Sequence, residues 1–283
     1  MVRWLLLQLI LSAALLAQTS LWKVTYEGKT LYLGGTIHVL RPSDFPLPKA
    51  YEAAFSSADR LIFETDFGKM DLPQTAVEMQ QRLMCEAGKS LNDHLRLASY
   101  MELKKYADAH RLPMAVLDRM KPQLVVISVM GAELQRLGIS EKGVDQYFFA
   151  RASEAGKPIG WFESVQEQIG MIESMGSENP DKMVEQTLGE MMQYELVMST
   201  MLSAWRTGDA ESLERLGKTY LMHDSPADYR RLIVERNRRW MEQIKPMLKS
   251  PETELILVGA LHLVGTEGLI SRLKRAGCKV EQL

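Results

Sequence analysis

Two stretches of the chain carry the same pattern of residues able to do chemistry. Residues 31–40 read LYLGGTIHVL and residues 255–264 read LILVGALHLV. Laid over each other, Leu31 falls on Leu255, Leu33 on Leu257, Gly35 on Gly259 and His38 on His262. Each copy is a short apolar run, a glycine, two residues and a histidine. Neutral imidazole is the commonest side-chain metal ligand. A histidine leaving the carboxyl end of a buried strand stands where open α/β sheets bind ligands. Two such units side by side would set two imidazoles at one cleft. The glycine is expected to let the strand turn sharply, through backbone angles closed to other residues.

Carboxylates stand at comparable places. Glu64 closes the apolar run 61–63, with Asp66 just after it, and Glu163 closes the run 158–162. Asp145 lies in the first turn of a helical stretch, 144–155, where it suits either the helix dipole or a site. In the last long helical stretch, 226–249, the apolar stripe Tyr229, Leu232, Ile233, Trp240, Ile244, Leu248 also takes in Arg236 and Asn237. A buried arginine requires an anionic partner, and a strand-end carboxylate or a substrate's carbonyl or carboxylate would serve. Two histidines and a carboxylate leave positions open for water and substrate. The candidate metal ligands are therefore His38, His262 and Glu64. The candidates for catalysis are Glu64, Glu163, Arg236 and Asn237. Glu64 is a third ligand or a general base. Glu163 is a ligand, the partner of a metal-bound histidine, or the counter-ion of Arg236. Arg236 and Asn237 would hold substrate or a developing oxyanion. Imidazole with carboxylate suits Zn, Mn, Fe or Co, and the H-E-x-x-H pattern of many zinc peptidases is absent.

The elements that must position these groups follow from patterning. Residues 21–26 and 30–33 read as strands of a hairpin turning at Glu27-Gly28-Lys29. After the first histidine come a helix at 49–57 and the strand ending in Glu64; after the second, a helix at 267–276 and a closing strand. The middle reads as helical at 73–87, 99–110, 121–137, 144–155 and 164–173, then throughout 181–250. The expected fold class is α/β. Two similar α/β halves, strand–Gly-x-x-His–helix–strand at each end of the chain, would form one core sheet under a helical middle or cap. Splitting the chain would separate the repeats, so residues 18–283 are expected to be one domain with helical insertions at about 73–140 and 181–250. Residues 1–17 have the basic start (Arg3) and short apolar stretch of a secretory signal, cleaved after Ala17, or of a membrane anchor. Export would place the chain in the periplasm or outside the cell. There, Cys85 and Cys278 would form one disulfide or remain two separate thiols.

The composition is that of a globular protein, 46% hydrophobic and 25% charged over 283 residues. A net charge of −2 with no basic patch argues against a nucleic-acid partner. The 18 methionines fall largely in helical stretches, where methionine fills cores.

The ordered set YLGGTIHVL, LIFETD, GVDQYFFARASEAGKPIGWFES, ERNRRWMEQI and LVGALHLVGTEGLISRLKRAGCKVEQL resembles the TraB/GumN family, related to the Tiki metalloproteases. The resemblance covers nearly everything after the signal. It implies a divalent-metal site built from the paired Gly-x-x-His motifs and a glutamate, and Mn- or Co-dependent peptidase activity. On that pattern His38 and His262 fall on the paired histidines and Glu64 on the glutamate after the first. Glu163 falls on the later glutamate, and Arg236 and Asn237 on the Arg-Asn pair. The expected function is thus a secreted or periplasmic metal-dependent hydrolase, a peptidase using metal-activated water, with a peptide or protein substrate. The alternative is a peptide-binding or sequestering protein that uses the same cleft without turnover.

Overall fold

The computed structural model describes residues 18–70, 72–139, 142–223 and 225–283, so the expected signal lies outside the described residues. The chain is α/β. Strands β1 (Leu21–Tyr26) and β2 (Lys29–Thr36) pair antiparallel, Leu21 opposite Gly34 and Tyr26 opposite Lys29. Glu27 and Gly28 both take left-handed angles (φ 46° and 81°), as a two-residue hairpin turn requires. Four further strands, β3 (Arg60–Thr65), β4 (Ile159–Glu163), β5 (Glu254–Gly259) and β6 (Lys279–Gln282), complete a six-stranded sheet in the order β4-β3-β5-β2-β1-β6. All run in one direction except β1. The central strands read as near-continuous apolar runs because both faces are covered; Leu61, Phe63 and Leu255 through Val258 have no exposed surface.

The helices are α1 (Lys49–Ser57), α2 (Pro73–Leu83), α3 (Leu97–His110), α4 (Pro122–Arg136), α5 (Val144–Glu154), which packs on β3 and β4, and α6 (Val165–Ser174). Then follow α7 (Pro180–Glu190), α8 (Tyr194–Thr207), α9 (Ala210–Gly217), α10 (Arg236–Met247) and α11 (Leu269–Arg275). Two π-helical segments, Lys218–His223 and Arg230–Glu235, interrupt the helical run before α10. Among the described residues no helix is long and apolar enough to cross a membrane. Cys85 and Cys278 are both free thiols, so the separate-thiol alternative holds.

The two repeats lie side by side, β2 parallel to β5, but one residue out of step: Thr36, not Gly35, is opposite Gly259. Their onward connections leave in opposite directions. From β2 the chain passes through α1 to β3, beyond β5; from β5 it passes through α11 to β6, beyond β2 and β1. Parallel crossovers are right-handed almost without exception, so opposite directions put α1 and α11 on opposite faces. The paired glycines agree: a Cβ on Gly34 would meet Tyr51 of α1, whereas one on Gly35 would meet Ala260 and Leu263, on the way to α11. A crevice therefore opens beyond the carboxyl ends of β2 and β5. This is the topological switch point at which open α/β sheets bind ligands.

Candidate functional site

His38 follows β2 and His262 follows β5, and both reach this crevice. Glu64, next to the end of β3, joins them from the neighbouring strand. Their meeting place is the space in front of Gly259. A Cβ there would lie 3.2 Å from Glu64 Oε1, 3.6 Å from His262 Cδ2 and 3.8 Å from His38 Nε2. The glycine is needed for this vacancy rather than for a turn. Gly259 has φ −49° and ψ 134°, open to any residue, and Gly35 has no positive φ either. The expectation of a sharp glycine bend is corrected accordingly: at Gly35 and Gly259 the absent side chain matters, not the backbone freedom.

Each imidazole is oriented through Nδ1. His38 Nδ1 lies 2.9 Å from Asp145 Oδ2, and His262 Nδ1 lies 2.8 Å from Asn237 Oδ1. Both Nε2 atoms are thereby turned toward the crevice, the arrangement that fixes tautomer and direction in metal-binding histidines. The two rings differ sharply in setting. The side chain of His38 is 64% exposed, and the buried Asp145 carboxylate beside it raises its pKa to about 9. His262 is buried against Trp240, ring centres 4.4 Å apart, and burial lowers its pKa to about 3, so it is neutral.

Asp145 reaches His38 because α5 starts directly on the His38 backbone. A Cβ on Gly143 would fall about 2 Å from the Ile37 and His38 backbone, so only glycine allows the approach. The Val144 amide then donates to the Ile37 carbonyl (3.1 Å). The first repeat is clamped from the other side. The Gly35 carbonyl accepts from Trp205 Nε1 of α8 at 2.7 Å and lies 2.6 Å from Tyr51 Oη, with both side chains fully buried.

Arg236 is the hub of the buried half. Its Nε donates to Glu163 (3.0 Å to each oxygen), and Nη2 donates to Glu64 Oε2 (2.6 Å) and Glu163 Oε2 (2.9 Å). Nη1 donates to the Leu232 carbonyl (3.2 Å) and to His262 Nε2 (3.0 Å). All five N–H groups are thus used within the chain. Glu163 also accepts from Trp240 Nε1, Gln168 Nε2 and Arg239 Nη2, so it serves as the counter-ion of Arg236. Glu64 Oε1 accepts from the Gly259 amide at 2.6 Å. Burial alone would raise the Glu64 pKa, but Arg236, the two histidines and that amide outweigh it and hold it at about 2. Asn237, with no exposed surface, donates to the carbonyls of His262 and Glu267.

The structure therefore brings together all six residues singled out by sequence: His38, Glu64, Glu163, Arg236, Asn237 and His262. Asp145 had only its place in a helix start to recommend it. Trp205 and Tyr51 carried no signal beyond being aromatic. As holders of a divalent ion, His38, His262 and Glu64 fit in donor type, with His262 Nε2 and Glu64 Oε2 taken up by Arg236 and Glu64 Oε1 by the Gly259 amide. The spacing is drawn in around the guanidinium. His262 Nε2 is 3.9 Å from Glu64 Oε1, and among the described residues no three His, Cys, Asp or Glu side chains stand close enough to hold an ion.

With this fold and site in view, the chain belongs to the TraB/PrgY/gumN family, whose model matches residues 20–282. The comparisons with curated proteins and with solved structures returned no match.

Proposed function

We propose that the chain is an exported hydrolase acting on peptides, with its reactive centre between His38, Glu64 and His262. The observation that supports this most is the convergence of those three side chains on the vacancy at Gly259, with both imidazoles steered from behind. A divalent ion, Mn, Co or Zn, would be held by His38, His262 and Glu64. When bound, it would polarise the scissile carbonyl and make water a nucleophile near neutral pH. Glu64 suits the part of anionic ligand better than that of base, because a base works best with a pKa near the working pH and Glu64 sits near 2. His262 presents a neutral ring, as a ligand must be, whereas His38, raised to about 9 by Asp145, would have to release its Nε2 proton as an ion bound. Arg236 and Asn237 act through others: Arg236 orients Glu64, and Asn237 fixes the His262 tautomer.

A second reading, capture of peptides without turnover, draws on one observation. Arg236 and Asn237 spend their N–H groups inside the chain, leaving none for an oxyanion. A pool of quenched fluorescent peptides, incubated with the protein in Mn, Co or Zn, separates the readings. Cleavage by wild type that disappears in His262→Ala supports the hydrolase. Retention of peptides with no cleavage under any metal supports capture.

A further inference from the structure

The sheet ends in two edges of different character. The β6 edge carries Lys279 and Glu281, paired at 2.7 Å, and such charges discourage another strand from adding. The β4 edge reads Ile159-Gly160-Trp161-Phe162, with no charge before Glu163. In the β3–β4 ladder the Pro158 carbonyl accepts from Leu61 (3.0 Å), so alternation turns the N–H and C=O groups of Ile159 and Trp161 outward. Among the described residues no partner meets them. Trp161 is 42% exposed, with Lys69 Nζ 5.2 Å from the ring centre, and the preceding position is a glycine, Gly160. Two outward donors and two outward acceptors at strand spacing are complementary to an extended polypeptide and to little else.

We propose that the outer edge of β4 is the docking rail for an extended peptide, which adds as a seventh strand and sets a bulky apolar side chain against Trp161. This rests on the reading that peptides are the substrate. Two features favour a substrate over a second copy of the chain. The same strand runs directly into Glu163 and so into the Arg236 hub. In addition, a five-residue strand whose outward-facing residues are Ile159, Trp161 and Glu163 offers far less surface than the ~1,200 Å² of a stable dimer. Strands lie ~4.8 Å apart and extended residues advance ~3.3 Å. A peptide on this rail therefore runs ~10 Å from Glu64's strand, and its scissile bond would lie about three to five residues from the pair it makes with Trp161.

The test uses a blocked ten-residue peptide of valine and threonine with one phenylalanine, labelled with fluorescein, and its set of single N-methylated versions. Binding is read by anisotropy on wild type, Trp161→Ala and Trp161→Pro. Docking predicts a period-two pattern on wild type: methylation of the amides facing β4 weakens binding at least tenfold, and methylation of the alternate amides leaves it unchanged. Trp161→Pro, which lacks the outward N–H, binds more weakly than Trp161→Ala, with unchanged circular dichroism in both. Absence of the period-two pattern on wild type overturns the proposal even if the proline variant fails to fold. So does a wild-type dimer in sedimentation that Trp161→Pro converts to monomer, since a second copy then fills the edge. Cleavage of the parent peptide is read separately. Patterned binding without cleavage sinks the hydrolase and leaves the rail, and cleavage without the pattern does the reverse.

Discussion

At the scale of single residues, the site is a cation and its counter-charges held in place of solvent. Arg236 carries two buried carboxylates, Glu64 and Glu163, on one guanidinium, and stacks on Trp240 with its carbon 4.6 Å from the ring centre. Replacing it with methionine strands both carboxylates. Arg236→Met should therefore lose about 3–5 kcal/mol of unfolding free energy in urea. Arg236→Lys should not restore it, because an ammonium has no fork to serve both acids. An effect near zero would mean that solvent reaches the pair. His38 gives a second reading at this scale. Its raised pKa is owed first to Asp145, so Asp145→Asn should bring it from about 9 down toward the ordinary 6.5, as followed by NMR titration of the ring. A pKa that stays high would assign the shift to another group.

At the scale of elements, the histidines are set by what grips the strand ends. Tyr51 Oη lies 2.7 Å from the Ser20 carbonyl and accepts from Trp205 Nε1 at 3.1 Å, so α1 and α8 hold the start of the first repeat together. Tyr51→Phe keeps the ring packing with Trp205 and Phe148 and removes only the hydroxyl. It should cost about 1 kcal/mol and shift the His38 ring resonances, whereas an unmoved His38 would make the clamp purely structural. This layer is where the sequence falls silent. Strand, glycine and histidine lie within ten residues of one another in both copies, and so the pairing of β2 with β5 was legible. The burial of Arg236 and Asn237 was legible too, because they sit on an apolar stripe. Asp145 is 107 positions from His38, and nothing local marks their contact. Nor does composition announce the π-helical segment Arg230–Glu235, which widens the turn just before Arg236 and Asn237. The one-residue offset between the repeats also lies beyond pattern matching, since both registers bury leucines and valines equally well.

At the scale of the whole molecule, the chain's two ends are bound together through the site, and its titration should be felt in global stability. His262 is neutral in the fold down to about pH 3 but takes a proton near 6.5 when unfolded. The unfolded state thus binds more protons between those values. The stabilisation is complete above 6.5 and is lost as pH falls, by up to about 1.4 kcal/mol per unit. Glu64, held at about 2 against an ordinary 4.5, adds to the loss below 4.5. His38, at about 9 in the fold against 6.5 unfolded, works in the opposite sense from pH 9 down to about 6. Urea unfolding at pH 6, 5.5 and 5 should therefore show the His262 slope in wild type and a flatter one in His262→Gln. Equal slopes would mean that the ring is solvated.

The most direct test of the central claim, that both ends of the chain build one metal-holding site, is elemental analysis of the purified protein after loading with Mn, Co or Zn. Wild type would be measured beside His38→Ala, His262→Ala and Gly259→Ala. The account predicts about one ion per chain in wild type and loss in all three variants. The glycine variant is included because its Cβ would fill the space between Glu64 and the two histidines. Wild type that retains no ion, or variants that retain it unchanged, would contradict the account and leave Glu64 and Glu163 with Arg236 as their shared counter-ion.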